Sequence, residues 1–176
     1  MSPAAVADQS PWDAVSDGDI VLFRHALAPG TGDPNDFRLG DCTTQRNLND
    51  AGREDARRIG AAFVKVEIGV GRVLTSQWCR CRETADLAFP GRAEDAPVFN
   101  SFFRDRSRGP QQTEDARRLL LDWTGPGVLV VVTHQVNITA LTDIFPTSGE
   151  GIHLRKAGGA LEIIGRFPVP EDVNPS

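Results

Sequence analysis

The stretch DIVLFRHA, residues 19–26, joins the pattern of a buried strand to a pair of basic side chains. Four apolar residues in a row, at positions 20–23, are typical of a strand buried on both faces of a parallel sheet. Arg24 and His25 follow without a spacer, and open α/β sheets bind ligands just beyond the carboxyl ends of their strands. The stretch therefore indicates an anion site, although an isolated Arg-His pair is more often a surface charge beside a core histidine.

The rest of the chain alternates strand patterns with helix patterns. The run VLVVV at residues 128–132 is the strongest strand pattern, and the segment ends on His134. Further strands are predicted at 70–76 and 98–99 and as a hairpin of 151–155 with 161–165, and helices at 51–63, 81–89, 111–123 and 137–144. The alternation predicts one α/β domain over residues 1–176, a three-layer α/β/α sandwich with a largely parallel central sheet. Residues 1–17 and 168–176 are predicted to be irregular tails.

Length and composition indicate one well-buried globular core. The chain has 176 residues, of which 40% are hydrophobic and 24% are charged. No apolar run approaches the roughly 20 residues of a membrane-spanning helix. The net charge of −5 argues against a general affinity for nucleic acid, because nucleic-acid-binding domains are usually basic. We therefore expect no membrane span and no nucleic-acid partner.

The compartment and the state of the cysteines are linked, and the sequence leaves both open. The amino terminus lacks a basic segment followed by an apolar one, so the chain as given predicts a cytoplasmic protein, whereas a removed leader would allow a periplasmic one. Cys42, Cys79 and Cys81 lack the spacing of zinc ligands, and we expect no metal and no other cofactor. Cys42 and Cys79 fit either free thiols or one bridge in an oxidising compartment. The oligomeric state is equally open.

Residues 27–49 are rich in Gly, Pro, Asp and Thr and show no apolar periodicity, which predicts a long loop. Loops of this length in a compact domain are usually functional or disordered. Because this one leaves directly from Arg24 and His25, we expect a lid or a loop that selects the substrate. Its polar side chains fit a solvated surface one by one, but several could face a ligand: Asp33, Asp36, Arg38, Gln45 and Arg46.

Three segments share one arrangement, in which a buried strand ends on a basic side chain near the start of a helix. With these segments the sequence resembles the histidine phosphatase superfamily, the phosphoglycerate-mutase-like phosphatases, over roughly residues 18 to 165. Arg24-His25-Ala26 is similar to the family's Arg-His-Gly signature. Residues 76–85, which contain Arg80, match its Ser-x-x-x-Arg-x-x-x-Thr-Ala element, and His134 matches its strand-final histidine.

The chain also departs from the family pattern. Ala26 stands in place of Gly, which is tolerated if its φ is negative. Residues 135–137 (QVN) replace the Gly-Gly of the mutases and look more like the His-Asp-x-Asn element of the acid phosphatase branch, with Gln135 in place of the acid. A weaker likeness, through residues 45–48 and 133–142, is to bacterial phosphatases that remove phosphate from lipopolysaccharide core heptose.

The resemblance implies a division of roles. His25 would be the nucleophile that forms a phosphohistidine, and Arg24, Arg80 and His134 would bind the phosphate as cations. This chemistry suits the residue types, because the transferring group keeps its negative oxygens and needs placed positive charge. The neighbouring Arg82 is expected to form a structural ion pair instead.

The proton donor is the weakest part of this assignment. Asp105 stands roughly where mutase-like members carry their acid, yet a plain ion pair with Arg104 or Arg106 fits it somewhat better. Candidate substrate-binding residues are Arg46, Gln135 and Asn137. Asn137 fits a helix cap as well as a substrate contact.

We therefore expect a metal-independent phosphomonoesterase that hydrolyses a small-molecule phosphate ester or phosphorylated sugar through a phosphohistidine. Two alternatives remain, a phosphoglycerate-mutase-type phosphotransferase and a non-catalytic phospholigand-binding module. The physiological substrate is not readable, because residues 27–49 would set it.

Overall fold

The computed structural model describes residues 10–171 and has one six-stranded sheet at its centre. The strands, in chain order, are β1 (Ile20–Arg24), β2 (Val70–Thr75), β3 (Ala93–Asp95), β4 (Val128–Thr133), β5 (Gly151–Ala157) and β6 (Ala160–Phe167). Their order across the sheet is β3-β2-β4-β1-β5-β6. The first four strands of that order are parallel, and the β5–β6 hairpin adds two antiparallel strands at one edge. The predicted largely parallel sheet is confirmed.

Four helices cover the two faces of the sheet: α1 (Asp50–Lys65), α2 (Cys79–Ala88), α3 (Gly109–Asp122) and α4 (Gln135–Thr142). Side chains alternate between the faces along each strand. On one face Val21 and Phe23 pack with residues of α1 and α2, and on the other Ile20 and Leu22 pack with residues of α3 and α4. This confirms the three-layer α/β/α sandwich. No helix between residues 10 and 171 has the length and apolar character that crossing a bilayer requires.

The predicted strand at 98–99 is wrong. Residues Pro97–Phe99 form a 3-10 helix, whose Phe99 side chain is buried in the core, and the edge strand is β3. Proline has no N–H to give to a strand ladder, so the parallel pairing with β2 ends just before it, where Ala96 N–H donates to the carbonyl of Thr75 at 2.8 Å.

Part of the predicted amino-terminal tail is ordered. Pro11–Ala14 form a 3-10 helix, and the Trp12 ring stacks on Phe167 at 4.4 Å between centroids and meets Phe63 edge-on at 5.1 Å. Trp12 thus extends the core beyond the sheet. The rest of that tail, residues 1–9, and residues 172–176 of the carboxyl-terminal one lie outside the described residues.

The register of the central strands brings the functional segments to one level. Arg24 of β1 pairs with Thr133 of β4, so His25 and His134 leave adjacent parallel strands at the same height. His25 N–H donates to the carbonyl of Thr133 at 3.0 Å. On the other side of β4, Ser76 N–H donates to the carbonyl of Val132 at 2.9 Å, and α2 begins three residues later.

Candidate active site

Four side chains that the sequence singled out meet at the carboxyl ends of β1, β2 and β4. They are Arg24, His25, Arg80 and His134, all of which line one cavity, and together they are called the basic cup here. The rings of His25 and His134 lie 5.6 Å apart between centroids at an angle of 67°. The convergence that the sequence predicted is therefore present, with side chains from three segments more than 50 residues apart.

His25 is held in one tautomer. Its Nδ1 lies 2.8 Å from the carbonyl of Ala26, and its Nε2 lies 3.2 Å from Nε of Arg80. A carbonyl can only accept, and the guanidinium can only donate, so the proton sits on Nδ1 and Nε2 presents a lone pair. Burial and then the charge of Arg80 lower the pKa of His25 to about 3. At neutral pH the ring is therefore uncharged.

Ala26 fits where the family has glycine. It is fully buried and is not among the residues with positive φ, so its methyl group costs no backbone strain. Its N–H donates to Oγ1 of Thr84 at 3.0 Å, and that hydroxyl donates in turn to the carbonyl of Arg80 at 2.7 Å. Thr84 thus joins the end of β1 to the helix that carries Arg80.

Arg80 forms a salt bridge with Asp33, a residue that the sequence analysis did not assign to this role. Its NH1 and NH2 lie 2.8 and 3.3 Å from the two oxygens of Asp33, and both side chains are almost fully buried. Asp33 Oδ2 also accepts from the Trp78 indole at 3.1 Å. Burial alone would raise the pKa of Asp33, but the bonds from Arg80 and Trp78 outweigh it and hold the pKa below its usual value. Asp33 is therefore ionised and orients Arg80.

His134 differs from the expectation that it would be a cation. Its Nε2 lies 2.8 Å from Oγ of Ser76 and 3.4 Å from Sγ of Cys81, in a fully buried position. Burial, and then the neighbouring His25 and Arg80, lower the pKa of His134 well below its usual value. At neutral pH the ring is therefore neutral. Only an arriving anion would favour its protonation.

Arg24 and Arg46 supply the remaining positive charge. NH1 of Arg24 donates to the carbonyl of Pro146 at 2.9 Å, while its buried Nε has no hydrogen-bond partner within residues 10–171. Nε of Arg46 donates to the carbonyl of Gly32 at 2.7 Å, and its NH1 donates to that of Ala28. Arg46 thus braces the loop while lining the cavity. The three guanidinium groups of Arg24, Arg46 and Arg80, less the carboxylate of Asp33, leave two positive charges, which matches a phosphate monoester dianion.

Two further predicted site residues, Asp105 and Gln135, also line the cavity. The side chain of Asp105 is half exposed, bonds to Ser107 and pairs with Arg108 at 3.2 Å rather than with Arg104 or Arg106.

Asn137 does not line the cavity. Its Nδ2 donates to the carbonyl of Asn100 at 2.9 Å. The helix begins at Gln135, with His134 before it, so the alternative of Asn137 as a helix cap is wrong. A substrate contact of Asn137 stays a prediction.

Arg82 forms structural ion pairs, as expected, with Asp86 at 3.8 Å and with Asp95.

A disulfide ties the long loop to the basic cup. Cys42 and Cys79 are bonded, with their Cα atoms 5.8 Å apart, so the question that the sequence left open is answered in favour of a bridge. Cys79 immediately precedes Arg80, and its N–H donates to Oε1 of Gln45 at 2.9 Å. Residues 27–49 are therefore fixed to the start of α2 at several points. The remaining thiol, Cys81, is buried, and burial raises its pKa to about 12.

Comparison with known proteins identifies the fold. No family model and no curated protein matches the sequence. The solved structure of open reading frame Rv3214 from Mycobacterium tuberculosis is similar, with a TM-score of 0.63 at 15% identity, over 86% of this chain and 97% of that one. Phosphoserine phosphatase from Entamoeba histolytica, solved as a mutant with phosphoserine, has a TM-score of 0.59 at 13% identity, over 86% and 97% of the two chains.

A third similar structure is the protein histidine phosphatase SixA complexed with tungstate. Its TM-score is 0.53 at 15% identity, over 85% of this chain and 96% of that one. Such low identities relate backbones rather than activities. The chain shares the phosphoglycerate-mutase-like fold of these solved structures.

Proposed function

We propose that the protein is a phosphatase that hydrolyses phosphate monoesters through a phosphohistidine on His25. The observation that carries the proposal is the unprotonated Nε2 of His25, which faces the guanidinium of Arg80. Around it, the three guanidinium groups of Arg24, Arg46 and Arg80 exceed the carboxylate of Asp33 by two positive charges. The proposed nucleophile, and the positive charge that would hold the phosphate, thus lie side by side before substrate binds. This preorganisation is what phosphoryl transfer requires.

The proposed reaction has two steps. Nε2 attacks phosphorus, the ester P–O bond breaks, and the leaving oxygen takes a proton. The ring then carries a positive charge, which the Ala26 carbonyl stabilises through the Nδ1 proton. In the second step water attacks phosphorus, the P–N bond breaks, and His25 returns to its neutral form as phosphate leaves.

The leaving group decides which esters react well. Asp33 is held ionised by Arg80 and has no proton to give, while Asp105 is solvated and paired with Arg108. A strong general acid is therefore not positioned in the resting site. We propose that esters with stable leaving groups react fastest, with Asp105 as the donor for alkyl esters once it releases Arg108.

The similar structures support the chemistry and suggest substrates to try. The Entamoeba histolytica relative was solved with phosphoserine, and SixA is a protein histidine phosphatase that binds tungstate. Phosphoamino acids and phosphohistidine therefore belong in the substrate panel beside sugar phosphates. The likeness to heptose phosphatases stays a prediction.

The test is a phosphatase assay with para-nitrophenyl phosphate in the presence of EDTA. We expect phosphate release without added metal, a phosphorylated protein intermediate that is labile in acid, and a loss of at least about a thousandfold in kcat for His25→Ala. Turnover that persists in His25→Ala would exclude His25 as the nucleophile. Tungstate binding by the wild type without any turnover would favour the phospholigand-binding module.

The same assay with alkyl phosphates tests the donor. If Asp105 protonates the leaving group, Asp105→Asn lowers turnover of alkyl esters by about tenfold or more and changes turnover of para-nitrophenyl phosphate little. Equal effects on both esters would remove Asp105 from this role.

A further inference from the structure

The cavity extends well beyond the basic cup. Its volume is about 840 Å³, which is in the range of pockets that enclose a whole drug-sized molecule rather than one phosphate group. The basic cup forms only one part of its lining. The other walls come from residues 30–39, from residues 97–108 and from Phe145. A molecule whose phosphate lay in the basic cup would have these walls around the rest of it.

Several large apolar side chains line those walls and remain partly exposed. Phe37 stacks on Trp78 at 4.9 Å between centroids and 24° between planes. Leu39, Phe103 and Phe145 are 48%, 46% and 69% exposed, and all three line the cavity. Large apolar side chains that remain exposed together mark a binding surface, because each would otherwise gain from burial.

Two cations stand on the same walls without a carboxylate partner. The Arg104 guanidinium lies over the Phe37 ring at 5.8 Å, and that of Arg106 over the Phe103 ring at 5.2 Å. Within residues 10–171 neither lies within ion-pair distance of Asp or Glu, and Arg104 only donates to the carbonyls of Asp33 and Pro34. Most exposed arginines elsewhere in residues 10–171 are paired with a carboxylate: Arg38, Arg57, Arg72, Arg118 and Arg166.

The cavity is positively charged, whereas the chain as a whole is negatively charged. The whole protein carries −5, but the carboxylates that line the cavity, Asp33 and Asp105, are already bound to Arg80 and Arg108. Arg104 and Arg106 therefore keep their charge available. An anion held there would meet a flat aromatic surface beside each guanidinium.

We propose that the substrate is a small phosphate monoester whose carrier has an aromatic or apolar face and a second anionic group. The ester phosphate binds in the basic cup, the apolar face lies on Phe37, Trp78 and Phe103, and the second anion binds Arg104 and Arg106. The inference rests on the proposed function for its turnover test, but its binding test is independent of catalysis.

The turnover test uses aryl phosphates that differ only in a remote carboxylate. Phenyl phosphate is compared with 4-(2-carboxyethyl)phenyl and 4-(5-carboxypentyl)phenyl phosphate, since an alkyl spacer keeps the leaving group nearly unchanged and two lengths sample the reach. We expect kcat/KM at least about tenfold higher for one of the carboxylated esters, because a charged hydrogen bond typically contributes that much.

Variants locate the effect. In Arg104→Gln/Arg106→Gln the preference for the carboxylated ester falls to about one, and Arg106→Gln alone removes part of it without touching the contact that Arg104 makes with the loop. Arg118→Gln, an exposed arginine of α3 outside the cavity, keeps the wild-type preference. A wild type without preference, or a preference that survives in the double variant, overturns the proposal.

Calorimetry on His25→Ala separates the two proposals. The uncleaved carboxylated ester should bind about tenfold tighter than phenyl phosphate, and the gain should vanish when Arg104 and Arg106 are changed to Gln. That result would support the second anion site even if the wild type hydrolysed nothing. Equal affinities for the carboxylated ester and for phenyl phosphate would overturn the second anion site, whatever phosphatase activity the wild type shows.

Discussion

Asp33 shows how one side chain sets the charge of the basic cup. It neutralises one guanidinium and fixes its orientation through two contacts with Arg80. In Asp33→Asn we expect phosphate to inhibit about five- to tenfold more tightly, because a buried negative charge is removed, and kcat to fall, because Arg80 is less firmly held and product leaves slowly. Competitive inhibition by phosphate measures the first effect and single-turnover kinetics the second.

A matched control for this prediction lies on the same loop. Asp36→Asn removes the same charge from an exposed position that does not line the cavity, and it should leave the inhibition constant within about twofold. Equal tightening in both variants would mean that the effect is a general one of net charge. Weaker inhibition in Asp33→Asn would contradict the role assigned to Asp33.

Residue-level prediction from the sequence succeeds where strand ends fix the geometry. His25 and His134 could be predicted to meet because both directly follow buried parallel strands. Arg80 could be predicted to join them because it lies in the first turn of α2, the helix that follows β2. Asp33 could not be assigned, since its contact with Arg80 joins a loop to a helix 47 positions away. No periodic pattern reports such a contact.

The element that we propose to govern substrate access is the loop of residues 27–49. Its attachment through Cys42–Cys79 closes a segment 37 residues long, which by the chain-entropy argument stabilises the fold by about 3 to 4 kcal/mol. Full reduction should therefore lower Tm by roughly 10 °C and raise KM for bulky esters more than for phenyl phosphate. Calorimetric scans with and without reductant, alongside thiol titration, measure this.

The control is the bridge-free protein. Cys42→Ser/Cys79→Ser should show the lower Tm in both conditions and no response to reductant. If the wild type keeps its Tm after titration finds both thiols free, the loop is held by its other contacts, above all Asp33 with Arg80 and Arg46 with the carbonyl of Gly32. We propose that the bridged form works in an oxidising compartment, where such bonds persist.

Element boundaries are harder to predict from the sequence than element types. The alternation of strands and helices is confirmed, but α2, α3 and α4 each begin two residues before their predicted starts. In all three cases the first two residues of the helix do not continue its apolar spacing, so the sequence pattern assigns them to the preceding loop. The shift matters most at Asn137, because it decides which residues of α4 line the cavity.

The whole molecule should respond to acid through its two cup histidines. In the folded protein both histidines have a pKa far below the unfolded value of about 6.5. Below pH 6.5 the histidines of the unfolded chain therefore bind protons while those of the folded protein stay neutral. The contribution of the two histidines to the free energy of unfolding is fully present above pH 6.5 and is lost as pH falls towards 3. Between pH 6.5 and 5 the loss should approach roughly 1 kcal/mol per pH unit for each histidine, measured by denaturant unfolding.

Variants and ligand both test this slope. His25→Asn and His134→Asn should each remove about half of it, and tungstate should flatten it, because a bound anion lets the folded site accept a proton. The buried carboxylates Asp19 and Asp33 have lowered pKa values and should contribute only below about pH 4, outside this window. An unchanged slope in both histidine variants would refute the explanation.

The basic cup is built on strand ends and on the first turn of α2, whereas residues 30–39 and 97–108 of the outer walls lie on loops and two short 3-10 helices. In the proposed phosphatase, the reacting groups and the groups that select the substrate therefore lie in separate parts of the cavity. Remodelling residues 30–39 or 100–108, with Asp33 and Asp105 kept, should redirect it to new esters while the reacting groups stay in register. The scaffold is in that sense a natural starting point for laboratory evolution, in which libraries confined to the rim would explore selectivity without eroding the chemistry beneath.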